Sequence, residues 1–275
     1  MRIAIYAHFG TSAVVARHVL YHAQQLRKLG FQVCFISNSP LSKGSESELA
    51  ASCERVVQRE NVGFDFCMWQ QALAAYDLTQ ADELLLTNSS IIGPLSPLDL
   101  LWRKPELGQC DFWGLTDNCG FSTHLQSYFL VFRRGLIQSE CFSRFWASVL
   151  PYGEKDQVIR SYEVGLTRWF QQNGFKWAPA FPQQAIRRRY LEGCTLVRRV
   201  QDRIRQRGLP RWDTTLFYPR ILIEAGMPFL KASLLKLGNP FLQPAVAYSL
   251  LEASILPKEA LEELRPAPAS GGSGS

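Results

Sequence analysis

The 275-residue sequence lacks the cysteine spacings that mark a zinc site or a disulfide framework. It has seven cysteines, an odd number, and none belongs to a C-x-x-C pair or has a histidine at ligand spacing. Several lie within apolar runs, where a free cysteine behaves as a small hydrophobic residue. We therefore predict a reduced, cytosolic compartment and expect no zinc site.

The sequence also lacks a long hydrophobic run. No stretch approaches the roughly 20 consecutive apolar residues that a membrane-spanning helix needs. The first residues show no charged region, apolar stretch and cleavage site in series, so no leader peptide is predicted. Hydrophobic residues make up 47% of the composition, which is enough for a large buried core. We expect a chain that is attached to a membrane surface at most.

Positive charge is scarce outside one segment. The chain carries a net charge of +6, whereas residues 185–211 hold nine arginines against Glu192 and Asp202, a net of +7, so the remainder nets about −1. Arginine favours phosphate groups through bidentate hydrogen bonds. Apolar residues interleave with these arginines, which favours an anionic membrane surface or a lipid-linked diphosphate over a solvated helix face. No nucleic-acid motif accompanies the charge, so no nucleic-acid partner is expected.

Alternating strand and helix patterns fill the first 90 residues. One helical pattern has apolar residues at steps of three and four between Val15 and Leu29, and Gly30 follows it. Strand patterns lie at residues 2–8, 31–36, 55–58 and 83–87. This alternation predicts an α/β fold with a doubly wound, mostly parallel sheet.

The pattern changes after Pro97. Further strands are predicted at 111–115 and 126–132, helices at 141–149 and 158–172, and two more helices at 216–225 and 229–237. We predict three parts: an α/β domain at 1–180, a basic helical C-terminal region at 181–265, and a flexible tail or linker rich in glycine and serine at 266–275.

Small polar residues end two of the predicted strands. Side chains just past the carboxyl end of a strand face the crevice where α/β proteins bind ligands. Asn61, Gly63 and Asp65 form an N-x-G-x-D sequence, in which glycine permits a tight turn. A plain loop and an Asx turn capped by Asp65 are the alternatives. The candidate ligand-binding residues are Ser37, Asn38, Asn61, Gly63, Asp65, Thr87, Asn88, Ser89 and Ser90.

An ordered set of motifs resembles one known family. R-E-N-V-G-F-D-F-x-x-W, L-L-L-T-N-S-S-x-x-G-P, D-F-W-G-L-T, H-L-Q-S-Y-F-L-V-F, Y-E-V-x-L-T and P-F-L-K occur in this order within about residues 1–240. Together they resemble the rhamnan synthesis protein F family of bacterial polysaccharide glycosyltransferases. The resemblance implies a GT-A-like nucleotide-sugar transferase domain at 1–180, located in the cytoplasm at the inner face of the bacterial plasma membrane.

The resemblance further implies inverting transfer of L-rhamnose from dTDP-L-rhamnose. The acceptor would be a glycan on a lipid carrier, for a cell-surface polysaccharide such as O-antigen or rhamnan. Two alternatives stay open. One is the same chemistry with another nucleotide-sugar donor. The other is a non-catalytic glycosyltransferase-like scaffold in a polysaccharide assembly complex.

The resemblance also implies roles for individual residues. Glu163 would be the catalytic base, since it resembles an acid that opens an amphipathic helix, where the helix dipole favours the ionised form. The alternative is that Glu163 is only a favourable first-turn charge. The strand-end residues would bind the donor. The residues implied on the acceptor side are Asp111, Trp113, His124 and Gln126, with core packing and structural hydrogen bonding as the alternatives for Trp113 and His124.

At the predicted cation site this chain departs from the pattern of the family that it resembles. The resemblance implies an aspartate where this chain has Ser89. Mg²⁺ and Mn²⁺ prefer hard oxygen ligands, and neutral Asn and Ser side chains hold them weakly. Three alternatives follow: a cation held elsewhere or by the diphosphate alone, a metal-independent reaction in which cations such as the arginines offset the leaving-group charge, or an inactive fold.

Overall fold

The computed structural model describes residues 1–120, 122–195, 213–236 and 244–265. Its strands are β1 (Arg2–His8), β2 (Gln32–Ser37), β3 (Arg55–Gln58), β4 (Glu83–Asn88), β5 (Ile91–Ile92), β6 (Phe112–Asn118), β7 (His124–Leu125), β8 (Phe129–Arg133), β9 (Trp177–Phe181) and β10 (Leu230–Lys231). Its α-helices are α1 (Arg17–Lys28), α2 (Lys43–Ala50), α3 (Phe64–Leu73), α4 (Asp99–Trp102), α5 (Arg134–Ile137), α6 (Glu140–Ala147), α7 (Lys155–Val158), α8 (Val164–Gln172), α9 (Gln183–Glu192), α10 (Thr214–Phe217), α11 (Pro219–Glu224), α12 (Pro244–Glu252) and α13 (Lys258–Leu264).

The main sheet has eight strands and is mostly parallel. Seven follow the order β3-β2-β1-β4-β8-β6-β7, and β9 pairs with β6. Strands β3, β2, β1 and β4 run parallel, whereas β8 runs antiparallel to both β4 and β6. The carboxyl ends of β1, β2, β4 and β6 therefore lie along one edge of the sheet. The predicted α/β fold with a mostly parallel sheet is confirmed.

Helices cover both faces of the sheet. In β1, Tyr6 packs into a core with Val19 of α1, whereas its neighbour Ile5 packs into a second core with Trp69 of α3 and Phe170 of α8. This division follows from the alternation of side chains along a strand. All five residues are nearly or fully buried. Each such apolar side chain stabilises the fold by about 1.5–3 kcal/mol relative to an exposed one.

The C-terminal residues return to the sheet. Strands β5 and β10 form a separate two-stranded antiparallel sheet in which Lys231 pairs with Ile91. Phe229 joins the core that contains Tyr6, and Leu230 joins a third cluster with Ile92. Residues on both sides of position 180 thus share a core, and the division of the chain at that position stays a prediction.

Two predicted elements differ from the structure. The strand predicted at 126–132 is interrupted because the backbone and side chain of Ser127 bond to a helical side chain instead of to a neighbouring strand. The helix predicted at 229–237 is wrong over its described residues. Pairing with β5 makes Leu230–Lys231 a strand, and a 3-10 turn, Ala232–Leu235, follows it.

Part of the predicted organisation falls outside the described residues. This applies to the arginines between 196 and 212 and to the tail at 266–275. Within the ranges that are described, no helix is both long enough and apolar enough to cross a bilayer.

Candidate functional site

A cavity of about 300 Å³ opens beyond the carboxyl end of β4. Its polar lining combines predicted residues with residues that the sequence did not reveal. The predicted ones are Asp65, Asn88, Ser90, Gln126 and Glu163. Ser127 also lines the cavity. The others are Lys155, Asp213, Lys231 and Ser233. A cavity with convergent polar groups at this edge of an α/β sheet is the natural candidate for a ligand site.

A tight turn carries Asp65 to the cavity. Gly63 has φ +78° and precedes α3, and a Cβ atom there would lie 2.3 Å from Cys67 Sγ. Phe64 also has a positive φ, +54°. Asp65 Oδ2 accepts a hydrogen bond from Asn88 Nδ2 at 2.8 Å. Burial raises the pKa of Asp65 to about 6, against the opposing effect of that hydrogen bond.

The side chains of Asn88, which ends β4, and of Ser89 and Ser90, which follow it, point in two directions. Asn88 Oδ1 accepts hydrogen bonds from Ser90 N at 3.1 Å and Ser90 Oγ at 2.6 Å. Ser89 turns away from this pair, because its Oγ donates to Phe9 O and accepts from Phe9 N, each at 3.2 Å. Asn88 and Ser90 therefore line the cavity, whereas Ser89 is bound to the chain that follows β1.

The ends of β1 and β2 form a second polar group on the same edge. His8 Nδ1 lies 3.0 Å from Ser37 Oγ, and Ser37 Oγ donates to Ser39 O at 2.9 Å. Burial lowers the pKa of His8 to about 4, so its ring is neutral at pH 7. Asn38 Nδ2 donates to Asn61 Oδ1 at 3.2 Å, which joins the loop after β2 to the N-x-G-x-D turn. Ser37, Asn38, Asn61 and Gly63 lie beside the cavity and do not line it.

Glu163 is anchored by two residues of another segment. Its Oε2 accepts hydrogen bonds from Ser127 N at 2.9 Å and from Ser127 Oγ, and its Oε1 lies 3.5 Å from His124 Nε2. His124 Nδ1 lies 2.7 Å from Ser122 O. Since a carbonyl oxygen only accepts, Nδ1 carries a proton and Nε2 faces the carboxylate. His124 thus contacts Glu163 and does not line the cavity.

These contacts determine the charge of Glu163. Burial alone would raise the pKa of Glu163, but the contacts with His124 and Ser127 outweigh it and lower the pKa. Burial would likewise lower the pKa of His124, and its contacts with Glu163 and Ser122 raise it instead. The predicted reason for ionisation, a helix N-terminus, is wrong. The helical stretch begins at Lys155, and Glu163 ends the π-helical segment Ile159–Glu163 between α7 and α8.

A buried hydrogen-bond network holds the floor of the cavity. Gln126 Nε2 donates to Asp213 Oδ2 at 2.9 Å, and Thr116 Oγ1 donates to Gln126 Oε1 at 2.6 Å. Asp213 Oδ1 accepts from Thr215 N at 2.9 Å and from Thr215 Oγ1 at 2.5 Å. Gln126 reaches the cavity as a member of this network.

Two residues predicted on the acceptor side lie elsewhere. Asp111 precedes β6, at the opposite edge of the sheet, and its Oδ2 accepts a hydrogen bond from Lys176 N at 2.7 Å. Trp113 is fully buried and packs against Trp102, with ring centroids 5.3 Å apart. Neither lines the cavity. The alternative of core packing for Trp113 agrees with this position.

Lys155, Asp213, Lys231 and Ser233 line the cavity, and none of them was identified from the sequence as a candidate. Lys231 belongs to the P-F-L-K motif, so a signal existed for it. Asp213 begins a D-T-T sequence that is typical of a helix cap, and it caps α10. Lys155 and Ser233 belong to no motif that predicts a site.

Protein donors form hydrogen bonds to all three carboxylates of the cavity. Asp65, Glu163 and Asp213 each accept hydrogen bonds from protein donors, and both oxygens of Asp213 are engaged. Over the parts of the chain that the structure describes, no group of three His, Cys, Asp or Glu side chains converges to hold a metal. A divalent cation here would depend on one or two of these carboxylates together with water or phosphate oxygens.

The sequence matches one family and several proteins. The family described as rhamnan synthesis protein F matches residues 33–253. Virulence protein VirA of Vibrio anguillarum is 28% identical over 153 residues, which cover 54% of this chain and 49% of that protein. The protein y4gN of Sinorhizobium fredii is 28% identical over 159 residues, which cover 55% and 41%. The chain spans about half the length of the curated relatives it matches, or less.

Solved structures with a similar arrangement include nucleotide-sugar transferases. The glycosyltransferase GlyE of Streptococcus pneumoniae is 11% identical, with a TM-score of 0.46 over 95% of this chain and 62% of that chain. The mannosyltransferase PcManGT of Pyrobaculum calidifontis, solved with GDP-Man and Mn²⁺, is 13% identical, with a TM-score of 0.40 over 91% and 75%.

Proposed function

The chain belongs to the rhamnan synthesis protein F family, and we propose that it transfers a sugar from a nucleotide-linked donor to a hydroxyl group of a glycan. One observation carries this proposal. An anchored, ionised carboxylate, Glu163, faces the same cavity as the polar residues Asn88 and Ser90 that end a parallel strand. A carboxylate opposite a strand-end pocket is the arrangement that glycosyl transfer requires of a base and a donor site.

The donor is assigned to the strand edge. Asn88 and Ser90 face the cavity together with Asp65, and their hydrogen bonds to one another hold them in fixed positions. Asn38 and Asn61 lie next to this group and offer amides to a nucleoside. Fixed polar groups bind a ligand with less loss of conformational entropy than mobile ones.

Glu163 is assigned as the base. Ser127 occupies Oε2 with two hydrogen bonds, and Oε1, which lies 3.5 Å from His124 Nε2, is assigned as the oxygen that takes the proton of the acceptor hydroxyl. As that proton moves to Oε1, the hydroxyl oxygen forms a bond to the anomeric carbon. The bond from that carbon to the phosphate oxygen breaks, and its electron pair leaves with the nucleoside diphosphate. Attack opposite the leaving group inverts the anomeric configuration.

We further propose that the donor is dTDP-L-rhamnose and that the acceptor is a lipid-linked cell-surface polysaccharide. The motifs that run from R-E-N-V-G-F-D-F to P-F-L-K support it, as does the family match. The choice of donor sugar is proposed from these motifs and this match.

Membrane attachment through the arginine segment is part of the proposal. Arg188 and Arg189 on α9 are exposed, which supports contact with anionic headgroups. The apolar residues of α9 give less support, because Ile186 is buried in the protein core and Tyr190 packs against Tyr218 with ring centroids 4.6 Å apart. The proposed attachment on α9 is therefore electrostatic, at the inner face of the plasma membrane.

A scaffold without catalytic activity is the second candidate. Ser89 stands where the resemblance implies an aspartate, and its side chain is bound to the backbone of Phe9. Under this candidate the cavity binds a nucleotide-sugar or glycan without turnover, in support of another transferase.

A transfer assay with a panel of donors tests the proposal. The chain is incubated with a rhamnan oligosaccharide and with dTDP-β-L-rhamnose, UDP-glucose or GDP-mannose, and the product is analysed by NMR. We expect product with dTDP-rhamnose and an α-linked rhamnose, the inverted configuration. A β-linkage would contradict inversion, product from another donor would change the sugar, and binding without product from any donor would favour the scaffold.

A further inference from the structure

We propose that Lys231 and Lys155 bind the diphosphate of the donor directly, in the role that the family resemblance assigns to a divalent cation. The inference rests on the proposed function, because it concerns the leaving group of the same reaction. Two sets of charged side chains line the cavity, three carboxylates and two ammonium groups, and within the described residues only the carboxylates have hydrogen-bonding partners.

Protein donors already serve the carboxylates. Asn88 donates to Asp65, and Ser127 donates twice to Glu163. Gln126 and Thr215 donate to both oxygens of Asp213. A cation that bound Asp213 would compete with these donors, whereas an anion beside the lysines would not. Carboxylate oxygens that already accept N–H and O–H donors have fewer lone pairs left for a metal.

The two lysines keep their donors free. Among the residues that the structure describes, neither Nζ atom makes a hydrogen bond or an ion pair within 4 Å. Lys231 Nζ instead lies 4.3 Å from the centroid of the Tyr128 ring, a contact with the π face that uses no oxygen or nitrogen acceptor and leaves N–H groups on the far side of the ammonium available. A phosphate oxygen in the cavity would therefore meet unclaimed ammonium donors.

The backbone fixes Lys231 beside the strand edge. Lys231 pairs with Ile91 in the β5–β10 sheet, and Ala232 N donates to Ser90 O at 2.9 Å. This pairing sets Lys231 next to the residues that follow β4, where the resemblance implies a metal-binding acid. Lys155 lines the same cavity from another element, at the start of α7. A diphosphate in the cavity would therefore meet ammonium groups from two elements.

This arrangement supplies what the reaction needs at the leaving group. When the bond from the anomeric carbon to the phosphate oxygen breaks, that oxygen gains the electron pair and a negative charge. Fixed ammonium groups stabilise such a charge in a site of low dielectric without a metal. Lys231 is the better fixed of the two, because it is half-buried and belongs to a strand, whereas Lys155 is exposed.

Calorimetric titration tests the inference on the whole chain. The probes are dTDP, thymidine and inorganic pyrophosphate, each in EDTA and in Mg²⁺. The variants are Lys231→Met, Lys231→Arg and, as a matched control, Lys236→Met, an exposed lysine outside the cavity. We expect the wild type to bind dTDP equally well in EDTA and in Mg²⁺. Lys231→Met should weaken dTDP and pyrophosphate binding about tenfold or more, with thymidine unaffected. Lys231→Arg should retain most of the affinity.

The outcomes separate this inference from the proposed function. Equal dTDP affinity in Lys231→Met and the wild type, or tight binding only with Mg²⁺, would overturn the lysine assignment and leave the transferase function standing. If the wild type bound pyrophosphate through Lys231 but not dTDP, the anion site would stand and dTDP-rhamnose would fall as the donor. If neither dTDP nor pyrophosphate bound the wild type, the lysine assignment and the dTDP donor would both be wrong.

Discussion

The cavity joins two regions, each with a carboxylate and a histidine. The pKa values of these groups shift in opposite directions in the two regions. At the strand edge, burial raises the pKa of Asp65 to about 6 and lowers that of His8 to about 4, so both groups shift toward their neutral forms. At the helix wall, formed by Glu163 with His124 and Ser127, the pKa of Glu163 is lowered and that of His124 is raised. Both of those groups shift toward their charged forms.

The difference comes from the partners of each group. Asp65 receives one hydrogen bond, from Asn88, and burial dominates. Glu163 receives two from Ser127 and has His124 within 3.5 Å, and these contacts outweigh burial. Burial alone therefore does not determine the charge of a buried acid. The neutral His8 ring at the strand edge suits hydrogen bonding to a nucleotide, and a charged wall suits proton transfer.

Lowering the pH should cause the largest loss of folding stability, because it protonates three histidines in the N-terminal half of the chain. The pKa values of His8 and His18 are lowered to about 4 and that of His22 to about 3, first by burial. Their neutral forms stabilise the fold fully above their ordinary pKa of 6.5, and this stability is lost as the pH falls toward 4. Between pH 7 and pH 5 each should cost on the order of 2 kcal/mol.

Asp65 opposes part of this loss, because its pKa is raised and the folded state binds its proton first below pH 6. Urea unfolding at pH 7, 6 and 5 measures the net slope. His22→Phe removes one titrating ring whose two nitrogens have no partner in the described structure, and it should flatten the slope by about a third. An unchanged slope in this variant would contradict a neutral His22 ring in the core.

Replacing a glycine in the turn at the strand edge should have the next largest effect. Gly63→Ala would strain a residue at φ +78° and bring its Cβ to 2.3 Å from Cys67 Sγ. We expect a loss of about 2 kcal/mol in the free energy of unfolding, together with weaker donor binding, because the turn carries Asp65. Gly44→Ala is the matched control: it lies in α2 with open space at Cβ and should stabilise the chain by about 0.5 kcal/mol. Equal unfolding energies in the two variants would argue against a strained turn.

Much of the strand edge could be predicted from the sequence. Its residues follow short strand patterns directly, as Asn88 and Ser90 follow β4, so local periodicity is enough to bring them to one edge of the sheet. The N-x-G-x-D turn was also recognisable, because Gly63 needs a positive φ. The doubly wound sheet rests on the same local alternation of strands and helices.

The helix wall depends on contacts between distant segments. Glu163 was identified from a motif, but its bonds to Ser127 join residues 36 positions apart. Gln126 and Asp213 are 87 positions apart, and Lys231 reaches the cavity through pairing with β5. Patterns within one window do not contain such pairings, and the same limit explains why residues 229–237 were predicted as a helix.

The most direct test of the roles assigned to the strand edge and the helix wall measures the turnover number and the donor affinity of Glu163→Gln separately. Glu154→Gln, an exposed acid at the start of the same helical stretch, is the matched control. The account predicts that Glu163→Gln lowers the turnover number by about 10³-fold and changes the dTDP-rhamnose affinity by less than about threefold, with both values unchanged in Glu154→Gln. Turnover that survives in Glu163→Gln would contradict the account, because proton removal would then belong to another group.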